Sequence, residues 1–236
     1  MKYGEVYLIP NVIAEDTQHQ VIPVQVRTAL VKIKHFLAED IRTARRYFSS
    51  LSLFPSIEAL HFEVLNKDTD SATLNTLFAP VFEGHNLGIV SDAGCPGVAD
   101  PGAAAVKFAH DHGIRVIPLV GPSSLLLALM ASGLNGQRFA FHGYLPIDKG
   151  EFSKAVRELE KESRKNNQTQ VFIETPYRTD ATLTGILQAL HNDTLLSIAS
   201  DLTSEAEFIL TCPVSKWKTQ TRKLGKVPAV FMLLAS

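Results

Sequence analysis

LGIVSDAGCPGVADPG, residues 87 to 102, is the stretch whose reading decides the fold of this chain. Leu87 to Val90 is a short apolar run that reads as a buried strand. It breaks into Ser91-Asp92-Ala93-Gly94-Cys95-Pro96-Gly97, a loop dense in small residues, and Asp100-Pro101-Gly102 then opens a helix. Strand, open loop and helix start in that order form the ligand-facing edge of an α/β sheet. Small residues let a ligand approach the backbone closely. A tight strand-to-helix turn also favours Gly, Pro and Asp, but such turns usually run about two to six residues. The longer Ser91–Pro101 segment reads as a ligand-binding loop. Asp92 is its most suggestive carboxylate, able to bind an amine or a ribose hydroxyl, or simply to cap the loop.

The same grammar recurs downstream. Ile114 to Val120 reads as an apolar strand, followed by Gly121-Pro122-Ser123-Ser124 and a strongly apolar helix over Leu125 to Ser132. Two such loops on one sheet edge can line a single crevice. Upstream, Gly4 to Pro10 reads as a buried first strand and Asn11 to Pro23 as a polar loop. A short helix is expected over Gln25 to Lys32, and a second strand at Lys34 to Ala38. After Glu39-Asp40, Arg42 shares a helix face with Arg45 or Arg46. That face is either solvated, with a carboxylate cap at its start, or a phosphate-contacting patch. Ile57 to Val64 is a third strand candidate and Ser71 to Glu83 a helix.

Leu134 to Arg138 is a turn-rich break. It divides the chain into an N-terminal α/β domain, 1–134, and a C-terminal mixed α/β domain, 135–236. In the second, Phe139 to Leu145, Gln170 to Glu174, Thr194 to Ser200, Glu207 to Cys212 and Ala229 to Leu234 read as strands. Helices are expected over Glu151 to Lys165 and Asp180 to Leu190, and the adjacent late strands suggest antiparallel pairing.

Composition narrows the classes. The chain has 236 residues, 45% of them hydrophobic and 20% charged, as in an ordinary soluble globular protein. With a net charge of −1 no global field recruits nucleic acid or membrane, so any such contact must come from local patches. No run of about 18 apolar residues predicts a membrane span, and the start MKYGEVYLIP does not resemble a signal peptide. A cytoplasmic protein is expected. The histidines and the two cysteines, Cys95 and Cys212, match no metal or disulfide spacing, so no metal is expected. There is no GxGxxG and no GxxxxGK[ST]. Ser123 as a nucleophile would need a histidine that sequence cannot place; a helix cap or a ligand hydrogen bond suits it better.

Residues 91–102 resemble the SDAGTPxxSDPG signature of the small-subunit ribosomal RNA (cytidine-2′-O)-methyltransferases (RsmI), within the tetrapyrrole methylase superfamily. Further blocks match in order. Ala38 to Arg42 (AEDIR) is similar to AEDTR, Pro118 to Gly133 to PxPGPSAxxxALxxSG, Arg138 to Pro146 to RFxFEGFLP, and Phe172 to Arg178 to FYESPHR. Asp201-Leu202-Thr203 falls where the family carries ELTK.

The resemblance implies two α/β domains in a non-Rossmann methyltransferase fold, with S-adenosylmethionine in the interdomain cleft, and a homodimer. It implies that Ala93, Gly94 and Cys95 touch the cofactor through backbone, with Asp92 beside them. Ser123 and Ser124 would lie by its amino acid part, Thr175 would close the other side, and Pro10 would end the first strand there. Asp40 and Arg42 are expected near the acceptor, Arg42 on a phosphate if the acceptor is RNA. A hydroxyl acceptor also benefits from a base, for which Glu39, Asp40, Asp92 and Glu174 are the candidates. The implied reaction is 2′-O-methylation of a cytidine ribose in the small ribosomal subunit. A methyltransferase on a tetrapyrrole or other small molecule, and a cofactor-binding protein with little catalysis, are the alternatives.

The chain departs from the family pattern in several places. The first loop, TPIGNLGD in the family, is Ile9 to Asp16 (IPNVIAED) here; Cys95 stands for threonine; Tyr177 stands for the histidine of SPHR; Ser204-Glu205-Ala206-Glu207 stands where the family carries K-x-x-E-E; and the sequence to Ser236 is expected to lack the basic C-terminal extension of longer members.

Overall fold

Leu87–Val90 (β4) is buried at every position, as expected of a strand covered on both faces. It is the middle of five strands in a sheet described, with the rest of the chain, by a computed structural model of residues 3–221 and 223–236. The other strands are β1 (Val6–Ile9), β2 (His35–Ala38), β3 (His61–Val64) and β5 (Val116–Pro118), in the order β3-β2-β4-β1-β5. All pairings are parallel.

Side chains alternate across the sheet and feed two cores. Ile9, Phe36, Ala38 and Val90 pack with Val26, Leu30, Tyr47 and Phe48. These come from α2 (Val24–Leu30) and α3 (Ile41–Ser50), which follow a short α1 (Gln18–Val21). Val6, Leu37, Leu87 and Ile89 pack on the opposite face with Leu74, Val81 and Phe108. Those come from α4 (Ser71–Leu77), α5 (Ala79–Phe82) and α6 (Gly102–Asp111). The connection leaving β2 runs to β3 and the one leaving β4 runs to β5, so the two diverge between neighbouring strands. A doubly wound sheet opens its ligand crevice at such a point, at the carboxyl ends of the strands.

Gly88 sits in mid-strand with a steric reason. A Cβ there would lie 2.5 Å from Ile9 Cδ1 and 2.6 Å from Phe36 Cδ1. Phe36 is also wedged edge-on to Phe48, 4.7 Å between ring centres, so it has little room to yield.

Three local expectations shift. The strand expected from Ile57 begins with a 3-10 turn, Ile57–Ala59, because the Ser56 hydroxyl accepts the Glu58 N–H at 3.1 Å; pairing starts only at His61. The helix expected over 71–83 divides at Phe78, with Pro80 in the first turn of α5, where its missing N–H costs nothing. The loop expected over 11–23 contains α1, anchored by buried Thr17 and Gln18.

The chain divides into two compact units, Met1–Ser123 and Ser124–Ser236. The break therefore precedes α7 (Ser124–Ser132), whereas the turn-rich signal at 134–135 follows it. α7 packs on the second unit's sheet, and the Thr211 hydroxyl donates to the Ser132 carbonyl at 2.7 Å. That sheet comprises β6 (Phe139–Tyr144), β7 (Thr169–Glu174), β8 (Leu195–Ser200), β9 (Phe208–Pro213) and β10 (Ala229–Leu234), in the order β6-β7-β10-β8-β9. The late strands pair antiparallel, while β6 runs parallel to β7.

α8 (Lys149–Asn166), α9 (Thr179–Ala189) and α10 (Val214–Trp217) cover one face through Phe152, Val156, Ile186 and Trp217. α8 starts on an Asp148 cap and ends at Asn167 in the left-handed region, φ +47°. Within this charged helix Glu160 turns inward: it accepts the His191 N–H at 2.9 Å and the Thr194 hydroxyl, and so holds the turn before β8. Among the described residues no helix is long and apolar enough to cross a membrane.

Gly88→Ala is expected to destabilise the protein by about 1–3 kcal/mol, the usual cost of overpacking a core. Denaturant unfolding checks this; a variant as stable as wild type would show that Phe36 and Ile9 can move aside.

Candidate functional site

The loops leaving β1, β2, β4 and β5 emerge at one edge of the first unit's sheet, and hydrogen bonds between them build a site. Asn11, directly after β1, is buried and holds the centre. Its N–H donates to the Gly94 carbonyl at 2.8 Å and its carbonyl accepts the Gly94 N–H at 3.2 Å. Its side-chain amide donates to the carbonyls of Ser91 and Asp92 at 3.1 and 3.0 Å. Gly94 bends back with φ +72°, a conformation glycine adopts without penalty.

The β5 loop closes against this clasp. The Cys95 thiol donates to the Pro122 carbonyl at 3.3 Å, and burial pushes the thiol pKa up, so it is a packing group and not a ready thiolate. Pro10 fills the place a side chain at Gly121 would take: a Cβ there would lie 2.1 Å from Pro10 Cβ. The Pro10 carbonyl accepts the buried Tyr47 hydroxyl at 2.9 Å, and that phenol is held neutral by burial. Ser123 continues from Pro122 at the same edge and is half-buried.

On the other side of β4 the β2 loop brings a group of carboxylates. Asp92 Oδ1 accepts the Asp40 N–H at 3.3 Å. Asp92 and Glu39 are both exposed, yet partial desolvation at the loop edge raises the pKa of Asp92, with Asp40 and Asp100 adding to it and the Asp40 N–H opposing. Glu39 is raised as well, by partial desolvation first and then by Asp92 and Asp100. Its side chain makes no hydrogen bond or ion pair among the described residues.

Asp40 goes the opposite way. It caps α3, accepting the Thr43 and Arg42 N–H groups at 3.1 and 2.7 Å, and those bonds hold its carboxyl below the usual range. Arg42 projects into solvent, 3.9 Å from the Asp40 carboxylate. Arg46 reaches Glu15 at 3.6 Å, and Arg45 lies over the Phe62 ring. Asp100 accepts both the Gly97 N–H at 3.0 Å and the Gly102 N–H at 2.7 Å, so it folds the loop just ahead of α6, whose N-cap position is Pro101.

The first unit thus gathers Pro10, Asp40, Arg42, Asp92, Ala93, Gly94, Cys95 and Ser123. Ser124 and Thr175 belong to the second unit. There the Thr175 N–H and hydroxyl both bond Glu174 Oε1, at 2.8 and 3.3 Å. Glu174 also accepts from Thr182 at 2.8 Å and lies 3.3 Å from the Arg178 guanidinium, so it organises the turn and is poorly placed to serve as a base. Asn11 escaped the sequence reading: an asparagine in a loop is an ordinary turn residue, and only its bonds across to residues 91–94 distinguish it.

The edge fits an adenosyl ligand chemically. Ala93 and Asp92 are exposed above backbone fixed by Asn11, small residues leave the main chain approachable, and a carboxylate stands ready for a hydroxyl or amine.

No protein-family model matches the chain. Ribosomal RNA small subunit methyltransferase I of Escherichia coli O157:H7 is 31% identical over 216 residues, covering 90% of this chain and 70% of that protein. The protein of the same name from Bacillus subtilis is 30% identical over 228 residues, covering 94% and 73%. That of Halalkalibacterium halodurans is 33% identical over 209 residues, covering 88% and 67%. Among solved structures, the methyltransferase CobJ superposes with a TM-score of 0.63 at 15% identity, covering 100% of this chain and 95% of that one. A uroporphyrin-III-C-methyltransferase from Thermus thermophilus gives 0.57 at 17% identity, covering 98% and 92%. At such identities the structural likeness speaks for the fold, and the sequence likeness carries the family. The chain belongs to the ribosomal RNA small subunit methyltransferase I family, methyltransferases that use S-adenosylmethionine and share the tetrapyrrole-methylase fold.

Proposed function

We propose that the chain transfers a methyl group to the 2′-hydroxyl of a cytidine ribose in small-subunit ribosomal RNA. The relatives are named for that RNA, and the observation that carries the reading for this chain is the Asn11–Gly94 clasp. It holds the signature loop in shape although the glycines of the family's first loop are missing.

S-adenosylmethionine supplies an electrophilic methyl group on a sulfonium. Bound at the site, it would let the ribose oxygen take the methyl with a neutral thioether as leaving group, so the chain's own residues would have to align the acceptor and receive the hydroxyl proton. Much of the acceleration comes from holding acceptor and methyl in line, worth up to about 7–11 kcal/mol. Ala93, Gly94 and Cys95 offer backbone to the cofactor, Asp92 a carboxylate for a ribose hydroxyl or amine, and Ser123 a hydroxyl. The capping bonds that lower Asp40 make it a weak base, so its role is positioning: it starts α3 and its N–H orients Asp92. Glu39, raised and unencumbered, is the better proton acceptor at this edge. Arg42, solvent-exposed and 3.9 Å from the Asp40 carboxylate, can reach out to a phosphate.

Incubating the protein and labelled S-adenosylmethionine with small ribosomal subunits from a strain lacking the modification tests the reading. Mass spectrometry is expected to place the methyl on a cytidine ribose. Label on a base, or transfer only to a small molecule, would overturn it.

Gly94→Ala forces a side chain into left-handed backbone, a strain of about 1–2 kcal/mol. If the loop relaxes to relieve it, cofactor affinity falls roughly tenfold, the equivalent of about 1.4 kcal/mol; calorimetric titration measures this.

Asp92→Asn has a signed stability effect. A carboxyl whose folded pKa is raised binds its proton more tightly in the folded state, so stability is lost as pH rises through that value. Asp92→Asn is therefore expected to raise the melting temperature near neutral pH, to leave it unchanged in acid, and to weaken cofactor binding. Equal melting temperatures at neutral pH would refute this electrostatic account.

A further inference from the structure

At one edge of the second unit three loops are tied together. The Arg178 guanidinium, held 3.3 Å from the buried Glu174 carboxylate, donates to the Pro146 carbonyl at 3.4 Å, joining the turn after β7 to the loop after β6. The Thr179 hydroxyl donates to the Val227 carbonyl at 2.8 Å. Asp180 Oδ1 accepts the N–H groups of Leu224 and Gly225 at 2.8 and 3.3 Å, joining the loop before β10.

This stitched edge displays apolar side chains outward. Tyr177 is 85% exposed, Ile147 79% and Tyr144 59%. The Lys226 ammonium lies over one face of the Tyr177 ring, 6.0 Å from its centre, and Lys223 is exposed in the same loop. The acids of these segments are occupied: Glu174 by Arg178 and two threonines, Asp180 by two backbone N–H groups, and Asp148 by the Gly150 and Glu151 N–H groups. Tyr144, Tyr177, Lys223 and Lys226 face solvent here, with Ile147 among them and Asp148 exposed as the cap of α8. Tyr144, Ile147 and Tyr177 exposed together on loops tied to one another form a patch of the kind that marks an interaction site, and the lysine at the Tyr177 ring selects an anionic partner.

We propose that Tyr177, with Lys226 beside it, is a stacking platform for an unpaired nucleotide of the RNA acceptor: the base lies on the phenol ring and a neighbouring phosphate meets Lys226. This rests on the RNA reading above and adds to it a second contact surface on another unit. Single-stranded RNA is held in this way by aromatic rings with cations alongside. Arg178 offsets Glu174, and Lys226 and Lys223 are exposed in the loop beside Tyr177, so a phosphate finds cations locally although the chain's net charge is −1.

The test is anisotropy with a labelled unstructured oligocytidine at several salt concentrations, comparing wild type, Tyr177→Phe, Tyr177→Ala and Lys226→Gln. Tyr177→Phe keeps the ring and is expected to bind as wild type. Tyr177→Ala is expected to bind about tenfold more weakly at every salt concentration, the loss of one base–aromatic stack. Lys226→Gln is expected to flatten the dependence of log affinity on log salt by about 0.7, one single-strand phosphate contact. Calorimetry with S-adenosylmethionine should show unchanged cofactor affinity for Tyr177→Ala, which separates a lost platform from a misfolded protein.

Wild-type affinity retained in Tyr177→Ala would overturn the platform alone. A change in sedimentation with RNA affinity intact would assign the surface to self-association and overturn it too. A wild-type protein that binds no RNA and methylates no ribosomal subunit would overturn the RNA reading together with the platform.

Discussion

The buried side chain of Asn11 is the constraint on which the first unit's site depends. Carbonyl groups that turn away from a strand end need partners, because an unpaired buried acceptor costs about 1–3 kcal/mol. Asn11 meets those of Ser91 and Asp92 with its amide, and its main chain meets Gly94 in both directions. Without it the loop after β4 would have to find water or another shape. Pro10, immediately before, packs against Gly121 and is held through its carbonyl by Tyr47. Three strand ends are thus locked by two consecutive residues, and the loop's approachable backbone is a consequence of that lock.

The same edge shows how neighbouring carboxylates separate into roles. Asp40 and Glu39 are adjacent in sequence, yet one is lowered by helix N–H groups and the other raised by partial desolvation and by Asp92 and Asp100. Carboxyl groups gathered at one crevice cannot all ionise at equal cost, and the ones that do so cheaply are those offered N–H groups. Capping the helix therefore sets Asp40 apart from Glu39 and Asp92, whose carboxyls are raised. In the second unit the Glu174 cluster uses the same logic structurally: threonine hydroxyls, a backbone N–H and a guanidinium neutralise a buried carboxylate and fix three loops around it.

Much of this was legible in the chain before any coordinates. Leu87–Val90 and Ala229–Leu234 are strands with the bounds their apolar runs suggest. The small-residue loops follow their strands, and the missing glycine fingerprint agrees with a fold other than the Rossmann methyltransferase. Elements whose neighbours decide them were less legible. Ile57 is apolar enough for a strand but is turned aside by the Ser56 hydroxyl. Glu160 reads as a surface charge, although it shares a face with Phe152 and Val156 and is buried on the turn it caps. α7 resembles the end of the first domain, but its packing partners are β8, β9 and β10.

By itself the sequence determined the two-part α/β character and the position of the signature loop, because hydrophobic period and turn chemistry are local properties; the family rested on the resemblance of its motif blocks. Only the tertiary structure decided the strand order, the clasp by Asn11, the division of roles among the carboxylates and the exposed Tyr177 edge. Each of those depends on groups far apart in the chain meeting within hydrogen-bonding distance, as Asn11 meets residues 91–94 and Asp180 meets residues 224 and 225. Residue type alone does not encode such meetings, since an asparagine or an aspartate suits a turn equally well wherever it stands.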